Sequence, residues 1–248
     1  MLYATGDCHG NWTRLDEDNF PEQKEMTRSD YVVVLGDFGI WDNGIRENKW
    51  FDWLDAQRFT TLFVDGNHEN YDILDRLPDI EWNGGIVHKI RPNIIHLMRG
   101  QLYNIDGRKI FSFGGARSHD ISDGILDPSD SEFQSKKKWL DINTNGMYRI
   151  NHLTWWEREM PSKQEMDNGI ANLEKNNCKV DYIFSHCAST SIQSIMGAGL
   201  YKPDILTDYF EEIISRCDFK AWLFGHMHVN RKIMDKHYCL YEQITRIW

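Results

Sequence analysis

Five short segments of the chain carry aspartate, histidine or asparagine beside a glycine or a serine: Gly6–Gly10, Gly36–Asp37, Asp65–Glu69, Ser185–His186 and Gly225–His228. Carboxylate, imidazole and amide groups are ligands suited to manganese, iron, zinc or nickel, and no thiolate is needed. One carboxylate can also be shared by two ions that lie about 3.5–4 Å apart. The residue types therefore indicate a metal centre with enough ligands for two ions.

Each of these segments follows a short apolar run that is predicted to be a β-strand. The five runs are Leu2–Thr5, Tyr31–Leu35, Thr60–Val64, Asp181–Phe184 and Ala221–Phe224. Continuous apolar runs rich in β-branched residues are typical of strands buried on both faces of a sheet. Because ligands bind beyond the carboxyl ends of strands in α/β sheets, the five ends are expected to meet in one crevice.

Helices are predicted between the strands. Apolar residues recur at helical spacing in Ile45–Gln57 and in Pro203–Cys217. Ser162 and Glu165 form a capping box, which predicts a third helix that runs towards Asn176.

Two hairpins are predicted from turn residues, at Asp106-Gly107 and, near the end of the chain, at Asp235-Lys236. Strands that alternate with helices and are followed by hairpins predict an α/β fold, a sandwich of two sheets with helices outside. A chain of 248 residues is expected to form a single domain, here 1–248. The stretch 116–177 is polar, charged and contains tryptophan, so we interpret it as an inserted cap.

The composition excludes several classes of protein. A formal net charge of −10 argues against long nucleic acid as a partner, because phosphate contacts require a basic surface. The five cysteines are scattered and form no C-x-x-C pair, which indicates a reducing compartment. No apolar run approaches the roughly 20 residues of a membrane span. The sequence therefore predicts a soluble cytoplasmic protein without a membrane partner.

Taken in order from Gly6 to His228, the five segments resemble the signature of the calcineurin-like metallophosphoesterase superfamily, which reads G-D-x-H-G, G-D-x-x-D, G-N-H-[DE], an isolated His and G-H-x-H. The run Lys109–Asp120 is also similar to the middle of bacterial and phage members. The resemblance implies a pair of β-sheets flanked by helices, which agrees with the fold expected from the apolar pattern.

The resemblance also implies roles for individual residues. Seven of them would be metal ligands: Asp7, His9 and His228 for one ion, Asn67, His186 and His226 for the other, and Asp37 for both. His68 would face the scissile phosphate and act as the catalytic acid. The implied cofactors are two divalent ions, with manganese foremost and iron, zinc, nickel or magnesium as alternatives.

The implied activity is hydrolysis of a phosphate ester by a hydroxide that bridges the two ions. A phosphorylated small molecule, a nucleotide or a phosphoprotein would be the substrate, and Arg117 and His119 are candidates for contacting it. Two alternatives stay open. One is a nuclease or cyclic-nucleotide phosphodiesterase on the same metal core, and the other is a non-catalytic protein that binds a nucleotide or a partner.

One position departs from the family pattern. The second motif of the family ends in an aspartate that orients the catalytic histidine, and here that position is Ile40. Another acceptor would then have to orient His68, and we expect Asp42 to do so ahead of Glu69.

Overall fold

Two β-sheets with a parallel centre dominate the computed structural model, which describes residues 1–248. The strands are β1 (Leu2–Thr5), β2 (Tyr31–Leu35), β3 (Thr60–Val64), β4 (Ile80–Trp82), β5 (Gly85–Arg91), β6 (Ile94–Leu97), β7 (Gln101–Ile105), β8 (Arg108–Phe113), β9 (Gly124–Leu126), β10 (Tyr148–Ile150), β11 (Tyr182–Ser185), β12 (Ala221–Phe224), β13 (Arg231–Ile233), β14 (His237–Cys239) and β15 (Thr245–Arg246). The helices are α1 (Ile45–Asp55), α2 (Tyr71–Leu74), α3 (Phe133–Asn143), α4 (Lys163–Lys175), α5 (Thr190–Gly197) and α6 (Ile205–Arg216). Short 3₁₀ turns cover Thr13–Leu15, Pro21–Glu25 and Glu157–Glu159.

The two large sheets have the same plan. The first runs in the order β15-β1-β2-β3-β6-β5-β4, and the second in the order β13-β14-β12-β11-β8-β7. Neighbours among β1, β2, β3 and β6 are parallel, as are neighbours among β14, β12, β11 and β8. The strands at both edges of each sheet are antiparallel. The five predicted strands thus all lie in the parallel centres, where their carboxyl ends point the same way.

Side-chain alternation along a strand explains the layers of the core. In β2, Val32 and Val34 face one hydrophobic cluster, while Val33 and Leu35 face another. The second cluster lies between the sheets, because it also contains Phe184 and other residues of the second sheet. Each outer cluster lies under helices. This arrangement confirms the predicted two-sheet sandwich with helices outside.

The helix cap and the hairpins predicted from the sequence are present in the structure. The predicted capping box at the start of α4 is present, since Ser162 accepts a hydrogen bond from the amide of Glu165 and the Glu165 side chain accepts one from Ser162. Asp204 caps α6 in the same way. Both predicted hairpins form, β7 with β8 and β13 with β14. Strands β4 to β6, β9, β10 and β15 were not predicted, because they are short or carry mixed polar and apolar residues.

The stretch 116–177 contains two kinds of structure. Strands β9 and β10 pair only with each other and join neither large sheet. Helix α4 instead packs on the second sheet, where Leu173 lies in a core cluster with Phe111. No helix in the structure is long and apolar enough to cross a membrane.

Candidate metal centre

The predicted ligands lie in the turns that follow β1, β2, β3, β11 and β12, and four of them have an unusual backbone conformation. Their φ angles are 47° at His9, 45° at Asp37, 67° at His226 and 49° at His228. A side chain other than glycine rarely adopts this left-handed region, and each case costs on the order of 1–3 kcal/mol. Such strain collected in one place is typical of a functional site.

A first group of ligand atoms comes from Asp7, His9, Asp37 and His228. One ligand atom from each of these four side chains lies within 4.8 Å of all the others. The Nε2 atoms of His9 and His228 are 3.1 Å apart, and His228 Nε2 lies 3.0 Å from Asp7 Oδ2. The rings of His9 and His228 are partly exposed, so this end of the crevice opens to solvent.

A second group adjoins the first through Asp37. His186 Nε2 lies 3.1 Å from Asn67 Oδ1 and 3.4 Å from Asp37 Oδ1. The other carboxylate oxygen of Asp37 lies 3.8 Å from His9 Nε2. The rings of His186 and His226 are 4.9 Å apart between centroids. Asp37 therefore presents one oxygen to each group, as a bridging carboxylate must.

These residues fit metal ions chemically. Asp7 Oδ2 is buried and receives no well-directed hydrogen bond, and its near neighbour is His228 Nε2 at 3.0 Å. His9 and His228 aim ring nitrogens at each other, which two neutral acceptors would not favour. A shared divalent cation would satisfy all three side chains. The donor set of nitrogen and oxygen atoms without thiolate suits the first-row divalent metals.

The electrostatics agree with a cation site. Burial opposes a charge on His186, but the carboxylates of Asp37 and Asp7 raise its pKa to about 10. Burial alone would raise the pKa of Asp37, yet His186 and other nearby histidines hold it well below its usual range. The site therefore has a negative potential that favours bound positive charge.

Hydrogen bonds between the ligand side chains and the backbone orient the ligands. His186 Nδ1 donates to the carbonyl oxygen of Leu35 at 2.8 Å, which leaves Nε2 free to bind a metal. The amide of His226 donates to Asp7 Oδ1 at 2.9 Å, and the amide of His68 donates to Asp37 Oδ1 at 2.8 Å. Each bond joins two different motif turns, so the turns hold one another in place.

Two glycines allow the turns to approach closely. Gly36 has φ 91°, and a Cβ atom there would lie 2.0 Å from His186 Nδ1. A Cβ atom at Gly225 would lie 2.3 Å from Asp7 Oδ1. Any side chain at either position would displace a ligand, which explains why these motifs contain glycine.

The expected partners of His68 have other contacts. Glu69 is fully buried, and its carboxylate accepts hydrogen bonds from the amides of Phe38, Gly39 and Ile40 at 2.6–3.1 Å. Asp42 Oδ1 accepts from the amide of Gly44 at 2.7 Å. The expectation that Asp42 or Glu69 orients His68 is therefore wrong. Glu69 instead shapes the turn that carries Asp37, and the Ile40 side chain packs in the core.

The ring of His68 lies at the mouth of the first group. Its centroid is 5.4 Å from that of His9 and 6.1 Å from that of Trp41. Burial lowers the pKa of His68, Asp37 opposes this, and the charge of Arg149 lowers it further. Asp120, which forms an ion pair with Arg149, is the other carboxylate that acts on His68. The sequence offered no signal for this pair, because it depends on how the 116–177 stretch folds back.

The two predicted substrate residues behave differently. His119 reaches the metal centre, with its Nε2 atom 2.9 Å from Nε2 of His226. This spacing is close to the 3.1 Å between the two imidazoles of the first group. Arg117 is exposed on the wall of an adjoining cavity. The same cavity contains Tyr201 and Lys202, which the sequence analysis did not single out.

Comparison with known proteins gives the family. The calcineurin-like phosphoesterase family matches residues 2–230. The chain is 29% identical over 128 residues to the lariat debranching enzyme of Schizosaccharomyces pombe, a match that spans 46% of this chain and 25% of that one. It is 26% identical over 140 residues to lariat debranching enzyme A of Xenopus laevis, spanning 50% and 25%.

Among solved structures, that of the phosphopantetheinyl hydrolase PptH from Mycobacterium tuberculosis resembles the chain with a TM-score of 0.44 and 14% identity, over 97% of this chain and 87% of that one. The matched segments of the two debranching enzymes amount to about a quarter of each relative. The family match covers most of the chain, including every strand end that carries a candidate ligand. The chain therefore belongs to the calcineurin-like phosphoesterase family.

Proposed function

We propose that the protein is a metal-dependent phosphoester hydrolase. Its substrate is a phosphorylated small molecule or a nucleotide, and it uses two divalent ions, manganese foremost, held by the seven residues of the two groups. The position of Asp37 carries the proposal, because its two oxygens face His186 and His9 at 3.4 and 3.8 Å. Bound ions of this kind neutralise charge on phosphoryl oxygens and lower the pKa of water, so hydrolysis needs no covalent enzyme intermediate.

His68 supplies the proton for the leaving oxygen in this proposal. Its ring stands 5.4 Å from that of His9, and it is not one of the four side chains whose ligand atoms converge. Burial lowers the pKa of His68 in the free protein. The negative charge of a bound phosphate would favour the protonated ring, and the ring would then act as a general acid.

Metal removal tests the proposal directly. Chelation should abolish hydrolysis of p-nitrophenyl phosphate, and added Mn²⁺ should restore it with two ions per chain by elemental analysis. Asp37→Asn should lose more activity than any other single ligand change, since both ions depend on it. The exposed Asp235→Asn is the matched control. Full turnover without metal, or an Asp37 variant with two ions and normal kcat, would contradict the proposal.

A phosphodiester is a second candidate substrate, because the crevice has space at both ends. A cavity of about 490 Å³ adjoins His226, and one of about 270 Å³ adjoins His9 and contains Trp41 and Arg46. A phosphodiester bound at the metal centre would place one of its two substituents in each cavity. The comparison of p-nitrophenyl phosphate with bis-p-nitrophenyl phosphate decides between the two classes. A higher kcat/KM for the monoester would exclude the diester as the preferred substrate.

A further inference from the structure

A cavity of about 490 Å³ opens beside the second group of ligands. His119 and His226 form its wall next to the metal centre, Arg117 lines another side, and the loop between α5 and α6 contributes Tyr201 and Lys202. Sites for small molecules have volumes of roughly 300–1,000 Å³. The cavity is therefore large enough to hold a part of the substrate beyond the reacting phosphate.

The lining of the cavity carries a net positive charge, because Arg117 and Lys202 outnumber its single carboxylate, Asp204. Arg117 and Lys202 are exposed, and neither appears among the ion pairs of the chain. Asp204 is the sole acidic residue of the lining, and its carboxylate accepts hydrogen bonds from the amides of Leu206 and Thr207, both at 2.9 Å. In a protein with a net charge of −10, two free cations beside the metal centre indicate an anionic ligand.

An aromatic ring borders the same space. The ring of Tyr201 lies 5.3 Å from that of His119 between centroids. It also packs on the end of α5, where a Cβ atom at Gly197 would come within 2.3 Å of it. The ring is therefore held in place, and a fixed aromatic surface is suited to stacking against a nucleobase.

We propose that this cavity is a subsite for a second, non-reacting phosphate, and that the substrates are nucleotides with two phosphate groups on one nucleoside. Arg117 and Lys202 bind the second phosphate, since guanidinium and ammonium groups form strong charge-assisted contacts with phosphate oxygens. Tyr201 contacts the base. This inference rests on the proposed function, because the first phosphate must bind at the metal centre.

The experiment compares adenosine 5′-monophosphate with adenosine 3′,5′-bisphosphate in the manganese-loaded enzyme, by release of inorganic phosphate. Two exposed charged contacts should raise kcat/KM for the bisphosphate by about tenfold, mainly through KM. The preference should shrink as NaCl is raised, because salt screens exposed charges.

Variants of the cavity residues test whether the preference for the bisphosphate arises in the cavity. The double change Arg117→Gln with Lys202→Gln should bring the ratio of the two kcat/KM values close to one, and Arg117→Lys should keep part of it. Lys138→Gln, an exposed and unpaired lysine on α3, should keep the full ratio. Both cavity residues are on the surface, and the circular dichroism of each variant should match that of the wild type.

The outcomes separate this inference from the function on which it rests. Equal kcat/KM for the two nucleotides in the wild type, or a preference that survives the double change, would overturn the subsite. Hydrolysis of p-nitrophenyl phosphate without hydrolysis of either nucleotide would also overturn it, and the phosphoesterase proposal would stand. If the protein hydrolyses no substrate in the presence of manganese, both the subsite proposal and the phosphoesterase proposal are wrong.

Discussion

Gly36→Ala is the perturbation that most directly tests how the two sheets build the metal centre. At φ 91° an alanine is strained, which costs about 1–2 kcal/mol. Its Cβ atom would lie 2.0 Å from His186 Nδ1, so the imidazole must move. Overpacking of this kind costs about 1–3 kcal/mol, and loss of the bond from His186 to Leu35 adds about 1 kcal/mol. The free energy of unfolding should therefore fall by about 3–6 kcal/mol.

Gly124→Ala is the matched control, because Gly124 has φ 101° and no atom within 4 Å of an added Cβ. This variant has the backbone strain without a clash, so its free energy of unfolding should fall by only about 1–2 kcal/mol. Urea unfolding of the metal-free proteins measures both values, and titration calorimetry with Mn²⁺ measures the ions. Gly36→Ala should also weaken binding of the ion held by His186. Equal stability losses for the two variants, or unchanged binding of both ions in Gly36→Ala, would refute the reasoning.

Three further predictions follow from the site. His68→Ala should keep both ions but lose about 10²–10⁴-fold in rate on alkyl phosphates, and less on p-nitrophenyl esters, whose leaving group needs little protonation; equal losses would mean that His68 only binds phosphate. His119→Ala should weaken binding of one manganese ion about tenfold by calorimetry, as loss of one contact near His226 implies, whereas exposed His152→Ala should not. Burial opposes ionisation of Asp65, but Arg99 and His96 lower its pKa, so its stabilisation is present above pH ~4 and lost as pH falls. In chelator, Asp65→Asn should flatten the acid side of the stability profile measured by urea unfolding.

The strands that carry the candidate ligands could be predicted because their physical signal is local. A run such as Tyr31–Leu35 is apolar at every position, and the structure buries Val32 and Val33 on opposite faces of one strand. Glycine followed by a polar residue marks the end of such a strand, where backbone groups leave the ladder. The same local logic predicted the capping box at Ser162 and the hairpin at Asp106-Gly107.

The partners of side chains could not be predicted in this way. Glu69 adjoins His68 in sequence and Asp42 lies two residues after Ile40, yet neither carboxylate binds the His68 ring. Glu69 accepts hydrogen bonds from amides of the distant turn that follows Asp37, and Asp42 accepts one from the amide of Gly44. The charged pair that acts on His68, Asp120 with Arg149, comes from a distant stretch. Proximity along the chain is a poor guide here because a turn can direct adjacent side chains to opposite sides.

The sequence by itself determined the family, the sandwich of two sheets and the set of residues able to bind metal, because motif order, strand patterns and ligand chemistry are all properties of short segments. The tertiary structure decided which oxygen of Asp37 faces which histidine, and that His119 reaches His226. It also decided that Arg117 shares a cavity with Lys202. These arrangements depend on how two sheets and a folded-back loop pack against one another, and that packing balances contacts between residues far apart in the chain.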